Sequence, residues 1–237
     1  MALPFFYKAD IEAAAAVVLD EDTSKHVVQV LRMQNGEQLQ LTDGKGNIFT
    51  CAITDNNRKR CAVGILSTKH LPLTEQKVSV AVSLLKNVHR FEWFLEKATE
   101  IGVSEIIPLI CTRTEKQHFK AARLQSILIS AMLQSQQCRL PQMGEPVPFR
   151  KLLAGLQTLG EVQKFIAHCE DENNKTALSS KLLQPSTARL ILIGPEGDFT
   201  PEEIQLALQN GFAPVSLGNT RLRTETAGVV AAVTLMQ

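Results

Sequence analysis

The sequence contains no apolar run that approaches the roughly 20 residues needed to cross a bilayer. Its first residues, MALPFFYKAD, lack the basic segment and apolar core of a signal peptide. Its five cysteines form neither a Cys-x-x-Cys pair nor a Cys/His spacing suited to a metal. The sequence therefore predicts a cytoplasmic protein with free thiols, no membrane association and no metal site.

Both common phosphate-binding fingerprints are also missing, since no G-x-G-x-x-G occurs and no glycine-rich loop runs into Lys-Ser/Thr. The formal net charge is +1, so the chain as a whole does not attract a polyanion. The middle third is basic, however, and its Arg113, Lys116, Lys120 and Arg123 would share one face if that segment were helical. Such a face is either simply solvated or in contact with phosphates.

The chain has two parts that differ in their pattern of apolar and polar residues. Residues 1–73 alternate short apolar and polar stretches between turn residues, which predicts a small β-barrel. In residues 74–237, apolar stretches such as 77–85 and 188–194 alternate with helical patterns such as 90–103. This alternation predicts an α/β domain with a largely parallel sheet.

The stretch LIGPEGDFTPEEI (residues 192–204) runs from a buried strand into a strongly marked helix start. Gly194 and Gly197 let the backbone turn tightly and approach a ligand with no Cβ in the way. Thr200 and Glu203, with a proline between them, form a capping-box pattern. A plain strand–turn–helix connection is the alternative to a ligand loop.

A second stretch, SLGNTRLRTETAG (residues 216–228), follows another short strand and leads into an Ala/Val-rich helix. We expect the two strands to be adjacent, so that both loops lie at one edge of the sheet, where α/β proteins bind ligands. Arg223 and Glu225 would be partly enclosed there, and enclosed charges need partners or a function. A capping cluster with an Arg–Glu pair is the alternative.

Together the two stretches resemble the signature loops of the ribosomal RNA small-subunit methyltransferase E family, which belongs to the SPOUT class. HVVQVLRMQNGEQLQLTDG, EKATEIGVSEIIPL and LQSQQCRLP support the resemblance, in the family's order and over nearly the whole chain. The resemblance implies a small PUA-like β-barrel (1–73) joined to a SPOUT α/β methyltransferase domain (74–237) that contains a trefoil knot. It also implies a homodimer that uses the C-terminal helix.

The implied cofactor is S-adenosylmethionine, held by the two loops. The implied contacts are Ile193, Gly194, Pro195, Glu196, Gly197, Leu217, Gly218, Leu222, Arg223, Thr226 and Ala227. Acidic side chains in these loops suit a sulfonium and an amino group.

The implied reaction is methyl transfer to N3 of a uridine in small-subunit ribosomal RNA, with the assembled subunit as the expected partner. N3 lies on the Watson–Crick edge and carries a proton, so the base must be unpaired and deprotonated. We assign Arg223 to stabilising the uracil anion and leave Glu196 or Glu225 as the proton acceptor. For RNA binding, the resemblance indicates His26, Arg32, Arg113 and Arg139, each of which has a solvated charge as its alternative.

The chain departs from the family pattern at a few positions. Asp198 stands where glycine is more frequent, Asn219 where proline is frequent, and Leu133 and Gln137 replace a glutamate and an arginine. Two other readings of the sequence remain open. One is the same fold carrying out ribose O-methylation or acting on another RNA, and the other is a non-catalytic RNA-binding assembly factor.

Overall fold

The computed structural model describes residues 3–11, 16–72, 76–115, 119–156, 161–170, 175–182 and 188–237. The chain divides into two compact units. The first, here the N-terminal unit, comprises residues 1–73 and 132–140, and the second, here the α/β unit, comprises residues 74–131 and 141–237. None of the helices formed by the described residues is long and apolar enough to span a membrane.

The N-terminal unit is built on a sheet of order β1-β3-β4-β5-β2 within its described residues. Its strands are β1 (Phe5–Tyr7), β2 (Ala16–Val18), β3 (Gln38–Thr42), β4 (Asn47–Asp55) and β5 (Ala62–His70). Between β2 and β3 lie helix α1 (Glu21–Lys25) and a π-helical turn (His26–Val30). The predicted β-rich fold of this part of the chain is confirmed.

Alternating apolar residues explain the core of this unit. Leu39 and Leu41 on β3 and Ile53 on β4 are buried on one face, and Val27 of the π-helical turn packs against them. The turn between β3 and β4 uses Gly44 and Gly46, which have φ angles of +72° and +101° that other residues rarely adopt.

The α/β unit has a sheet of order β11-β13-β10-β12-β6-β7-β8, with β9 also pairing with β7, in the part of the chain that is described. Its strands are β6 (Lys77–Ser83), β7 (Glu105–Ile110), β8 (Gln142–Met143), β9 (Val147–Pro148), β10 (Gln163–Ala167), β11 (Thr176–Ala177), β12 (Ala188–Ile193) and β13 (Ala213–Ser216). Its helices are α2 (Val88–Ile101), α3 (Ala121–Gln134), α4 (Phe149–Gly155), α5 (Leu178–Lys181), α6 (Pro201–Gln209) and α7 (Thr224–Leu235). All of these strand pairs are parallel, as predicted.

The central strands are buried on both faces because helices cover the sheet, which accounts for their continuous apolar sequences. Helix α2 begins at Asn87, whose side chain accepts a hydrogen bond from His89 N. It ends at Gly102, which has a φ of 95°. The predicted basic helical face does not form, because Arg113 lies in the loop before α3 while Arg123 lies on α3. Lys116 lies outside the described residues.

Helix α7 is apolar on nearly all sides because it packs against several elements at once. Gly228 lies against the ring of Phe94 on α2, and a Cβ built there would be 2.6 Å from a ring carbon. At the other end of α7, the buried Arg189 donates a 2.7 Å hydrogen bond to the Leu235 carbonyl. The contact between Gly228 and Phe94 fixes the start of α7 relative to the start of α2.

We expect Gly228→Ala to lower the free energy of unfolding by about 1–3 kcal/mol, because the added methyl must displace a fully buried ring. Alanine is the better helix former by about 1 kcal/mol, so propensity alone predicts the opposite sign. Gly155→Ala in α4 is the matched control, since no described atom lies within 4 Å of a Cβ there. Urea unfolding of both variants checks the prediction, and a Gly228→Ala protein as stable as the control variant would contradict it.

Candidate active site

The two signature loops leave the same edge of the α/β sheet. The first follows β12 and the second follows β13, but β10 lies between these strands, so our prediction that they are adjacent is wrong. Ala167, at the end of β10, is paired with Ile193 of β12 and Val215 of β13. Because all three strands are parallel, their carboxyl ends meet at one edge, and the residues after β10 belong to the same region.

The first loop is anchored by a buried phenylalanine. A Cβ on Gly194 would lie 3.0 Å from the Phe199 ring, so only glycine fits there without displacing the ring. Ile193, Gly194 and Pro195 are buried, whereas Glu196 and Gly197 are exposed. The buried residues anchor this loop, and its exposed part presents backbone groups and the Glu196 carboxylate to a ligand.

The helix that follows this loop starts as the sequence predicts. Thr200 caps α6, and Glu203 Oε2 accepts a hydrogen bond from Thr200 N at 3.0 Å. The other Glu203 oxygen accepts from Thr112 N at 2.8 Å, just beyond the end of β7. The capping box thus also ties the first loop to the neighbouring end of β7.

Asp198 occupies a left-handed backbone conformation, with a φ of 63°. This explains why glycine suits the position and how aspartate can replace it. Its Oδ2 accepts a 2.7 Å hydrogen bond from Cys169 N, and its Oδ1 accepts one of 2.8 Å from Phe199 N. These bonds offset the conformational cost and connect the first loop to the residues after β10.

The second loop is more open. Gly218 has a φ of 142°, which requires glycine, and Leu217 and Leu222 are half-buried. Arg223 is exposed at the N-cap position of α7, and its guanidinium makes no hydrogen bond or ion pair with any described residue. Thr226 and Ala227 lie partly buried in the first turn of the helix. The Arg223 side chain is thus free to meet a ligand.

Arg90, in the first turn of α2, joins residues from both signature stretches. Its Nη1 lies 3.1 Å from Glu196 Oε1 in the first loop, and its Nε lies 3.7 Å from Glu225 Oε1 at the start of α7. Glu225 is only 7% exposed, and its Oε2 is buried without a hydrogen-bond partner among the described residues. Sequence reasoning missed Arg90, because nothing in the helical pattern of α2 indicates what its first turn faces.

Two of the residues predicted to contact RNA have backbone partners. Arg113 donates from Nη1 to the Gly197 carbonyl at 2.8 Å and to the Phe199 carbonyl at 3.3 Å, so it braces the first loop. Arg139, in the N-terminal unit, donates to the Lys45 carbonyl at 2.8 Å and to the Leu71 carbonyl. These bonds give both arginines a structural function, and their RNA contacts stay a prediction.

The other two predicted RNA-binding residues lie in the N-terminal unit with exposed side chains. His26 meets the Phe6 ring edge-on, with the ring centroids 5.6 Å apart. Arg32 follows the π-helical turn and has a φ of 56°. His26 and Arg32 thus belong to the N-terminal unit, whereas Arg90 belongs to the α/β unit.

His168, directly after β10, is a second residue that sequence reasoning missed. Both ring nitrogens are buried without a hydrogen-bond partner among the described residues. Burial lowers the pKa of the imidazole, and the nearby Lys175 ammonium lowers it further, so the ring is neutral near pH 7. A neutral imidazole has one donor and one acceptor to offer to a ligand.

This arrangement suits an organic ligand with a positive centre. Glycines allow close approach to the backbone, carboxylates at Glu196 and Glu225 are at hand, and His168 offers unused polar atoms. No group of three or more His, Cys, Asp or Glu side chains within the described ranges is arranged to hold a metal ion. The residues present fit S-adenosylmethionine, and their individual roles stay predictions.

We expect Asp198→Ala to destabilise the protein by about 2 kcal/mol. Alanine is strained in the left-handed backbone conformation and lacks both side-chain hydrogen bonds. Asp198→Gly should cost less, since glycine removes the conformational strain. Asp198→Asn, which tolerates this conformation and retains an acceptor, should lie closest to wild type. Thermal unfolding of the three variants checks this order, and an alanine variant more stable than the glycine variant would refute it.

Family models match both parts of the chain. A model described as an RNA methyltransferase domain matches residues 72–236, and one described as an RNA methyltransferase PUA domain matches residues 19–66. A protein of Synechocystis sp. named ribosomal RNA small subunit methyltransferase E is 31% identical over 226 residues, which are 92% of this chain and 71% of the relative.

Solved structures agree with these matches. The crystal structure of a probable rRNA-methyltransferase from Porphyromonas gingivalis is 40% identical, with a TM-score of 0.89 and coverage of 97% of this chain and 95% of that one. A ribosomal RNA small subunit methyltransferase E from Neisseria gonorrhoeae, crystallised with bound S-adenosylmethionine, is 30% identical, with a TM-score of 0.83 and coverage of 98% and 95%. The predicted class, a SPOUT-type α/β domain after a PUA-like β-domain, is confirmed, and the chain belongs to the ribosomal RNA small subunit methyltransferase E family.

Proposed function

We propose that this protein is an S-adenosylmethionine-dependent methyltransferase that modifies N3 of a uridine in small-subunit ribosomal RNA. The observation that carries the proposal is that Arg90 holds Glu196 and Glu225 together, so that the two signature stretches form one site. The Neisseria gonorrhoeae relative, with S-adenosylmethionine bound, supports the same cofactor here.

The cofactor would be held by the buried backbone of Ile193–Pro195 and by Leu217–Gly218, with Thr226 and Ala227 beside it. When bound there, S-adenosylmethionine would supply an electrophilic methyl group for N3, and the electron pair of the carbon–sulfur bond would stay with sulfur. Glu196 supplies negative charge next to a cationic ligand. The half-buried Leu217 and Leu222 exclude water from the apolar part of the pocket.

The uracil must lose its N3 proton before it can act as a nucleophile. Glu225 is better suited than Glu196 to accept that proton, because its Oε2 is buried and unpartnered whereas Glu196 Oε1 is bound to Arg90 and its side chain is 41% exposed. As N3 loses the proton, negative charge spreads to the neighbouring carbonyl oxygens. Arg223, which no described residue engages, would stabilise that charge.

RNA binding would involve both units. Arg32 and His26 present exposed polar groups on the N-terminal unit, which a model for an RNA methyltransferase PUA domain matches. Arg113 and Arg139 would assist from positions that their backbone hydrogen bonds already fix. The target base must be unpaired or swung out, because N3 lies on its pairing edge.

The partner would be the assembled small subunit, which places the enzyme in the cytoplasm. A homodimer is the proposed oligomeric state. Helices α2 and α7, which pack together, expose Trp93 and Val233 to 43% each, and large apolar side chains at the surface of paired helices suit a symmetric contact. The alternatives are the same fold acting on another RNA and a non-catalytic assembly factor.

The direct test incubates the protein with methyl-labelled S-adenosylmethionine and small subunits from a strain that lacks the gene. We expect label to appear in 3-methyluridine after digestion of the RNA to nucleosides. Label in a ribose-methylated nucleoside would contradict the proposal in favour of the first alternative. Tight cofactor binding with no transfer to free RNA or subunits would favour the second.

Arg223→Ala should lower kcat by about two to three orders of magnitude, the usual cost of removing one group that stabilises an anion. Cofactor affinity, measured by calorimetry, should change less than about threefold, because the effect arises only as charge develops on the base. Arg221→Ala, an exposed arginine two residues earlier, is the matched control. Wild-type turnover by Arg223→Ala would remove this residue from the mechanism.

A further inference from the structure

We propose that Arg90 is the positioning residue for the catalytic carboxylate: it pairs with Glu225 Oε1 and leaves Oε2, which has no hydrogen-bond partner among the described residues, to accept the proton of the substrate. This inference rests on the proposed function, in which Glu225 accepts the N3 proton. Arg90 lies on α2, outside both signature loops. Nothing in the sequence around it indicates a role in the site.

The two carboxylates that pair with the Arg90 guanidinium differ in their surroundings. Glu196 lies in a loop and is partly exposed, whereas Glu225 lies in the first turn of α7 and is almost completely buried. Arg90 approaches Glu225 through Nε at Oε1, which leaves Oε2 unbound. Oε2 is buried, so its lone pairs are not used by solvent or by a described residue, and it is the oxygen that would take the N3 proton from a bound base.

Arg90 and Glu225 stand on two helices that pack directly against each other. Arg90 is followed by Phe91 and then Phe94, whose buried rings fix α2 in the core. Gly228, one turn after Glu225, packs directly on Phe94. The distance between the guanidinium and the carboxylate is therefore set by helix packing, which holds a catalytic group more accurately than a loop does.

The charge of Glu225 also requires Arg90. An ionised carboxylate at 7% exposure costs free energy unless a partner compensates its charge. The nearby Arg113 is committed to the Gly197 and Phe199 carbonyls. Arg123 is committed to Glu92, and Lys86 to Glu115. Among the described residues, Arg90 supplies the ion pair to Glu225.

The test compares Arg90→Gln, Arg90→Lys, Glu225→Gln and the Arg90→Gln/Glu225→Gln double variant. Arg123→Gln is the matched control, because it also breaks an arginine–glutamate pair to α2, between Arg123 on α3 and Glu92 on α2. The readouts are S-adenosylmethionine affinity by calorimetry, the thermal midpoint, and kcat and KM with small subunits as substrate.

We expect Arg90→Gln to lower kcat about 10- to 100-fold, less than the roughly 100- to 10,000-fold that a general base itself contributes, because Arg90 only positions the base. KM for the subunit should change less than about threefold, and Arg90→Lys should restore part of kcat because it keeps the charge but not the planar fork. Arg90→Gln in the Glu225→Gln background should lower kcat less than about twofold further, since the group it positions is already lost.

Three results would overturn the inference. They are an unchanged kcat in Arg90→Gln, a loss that adds fully to that of Glu225→Gln, and an equal loss in the Arg123→Gln control. If Arg90→Gln unfolds, the same decision rests on Arg90→Lys, whose kcat should fall while its thermal midpoint holds. An active Glu225→Gln enzyme would instead refute the base assignment in the proposed function, which keeps the two failures distinguishable.

Discussion

The parallel ladder that joins β13, β10, β12 and β6 is the constraint on which the site depends. Since these strands run in one direction, the chain leaves the sheet four times at the same edge. Two of these exits carry the signature loops, and β10 between them contributes His168 and Cys169. Without this register, residues distant in sequence would not meet.

The helices turn this edge into a site with defined electrostatics. Contact between Gly228 and Phe94 brings the first turns of α7 and α2 together, and with them Glu225 and Arg90. Asp198 ties the first loop to the end of β10, and Arg113 braces the same loop through its carbonyls. Helix packing thus determines which charged side chains are adjacent, and the two loops provide the backbone that a ligand would contact.

Much of this could be predicted from the sequence because its signals are local. The apolar strands and the capping box at Thr200 are predicted from the sequence and are confirmed. The order of the strands could not be predicted, because nothing local in the sequence indicates that β10 inserts between β12 and β13. Arg90 and His168 were missed because their significance lies in contacts made through the fold. The trefoil knot, which rests on the resemblance alone, stays a prediction.

The central claim is that the two loops form one methyl-donor site, and amide hydrogen–deuterium exchange with and without S-adenosylmethionine tests it most directly. Our account predicts that the cofactor slows exchange in residues 193–198, in 217–227 and after β10, while the β4–β5 hairpin of the N-terminal unit is unchanged. Protection confined to one loop, or found only outside these segments, would contradict it.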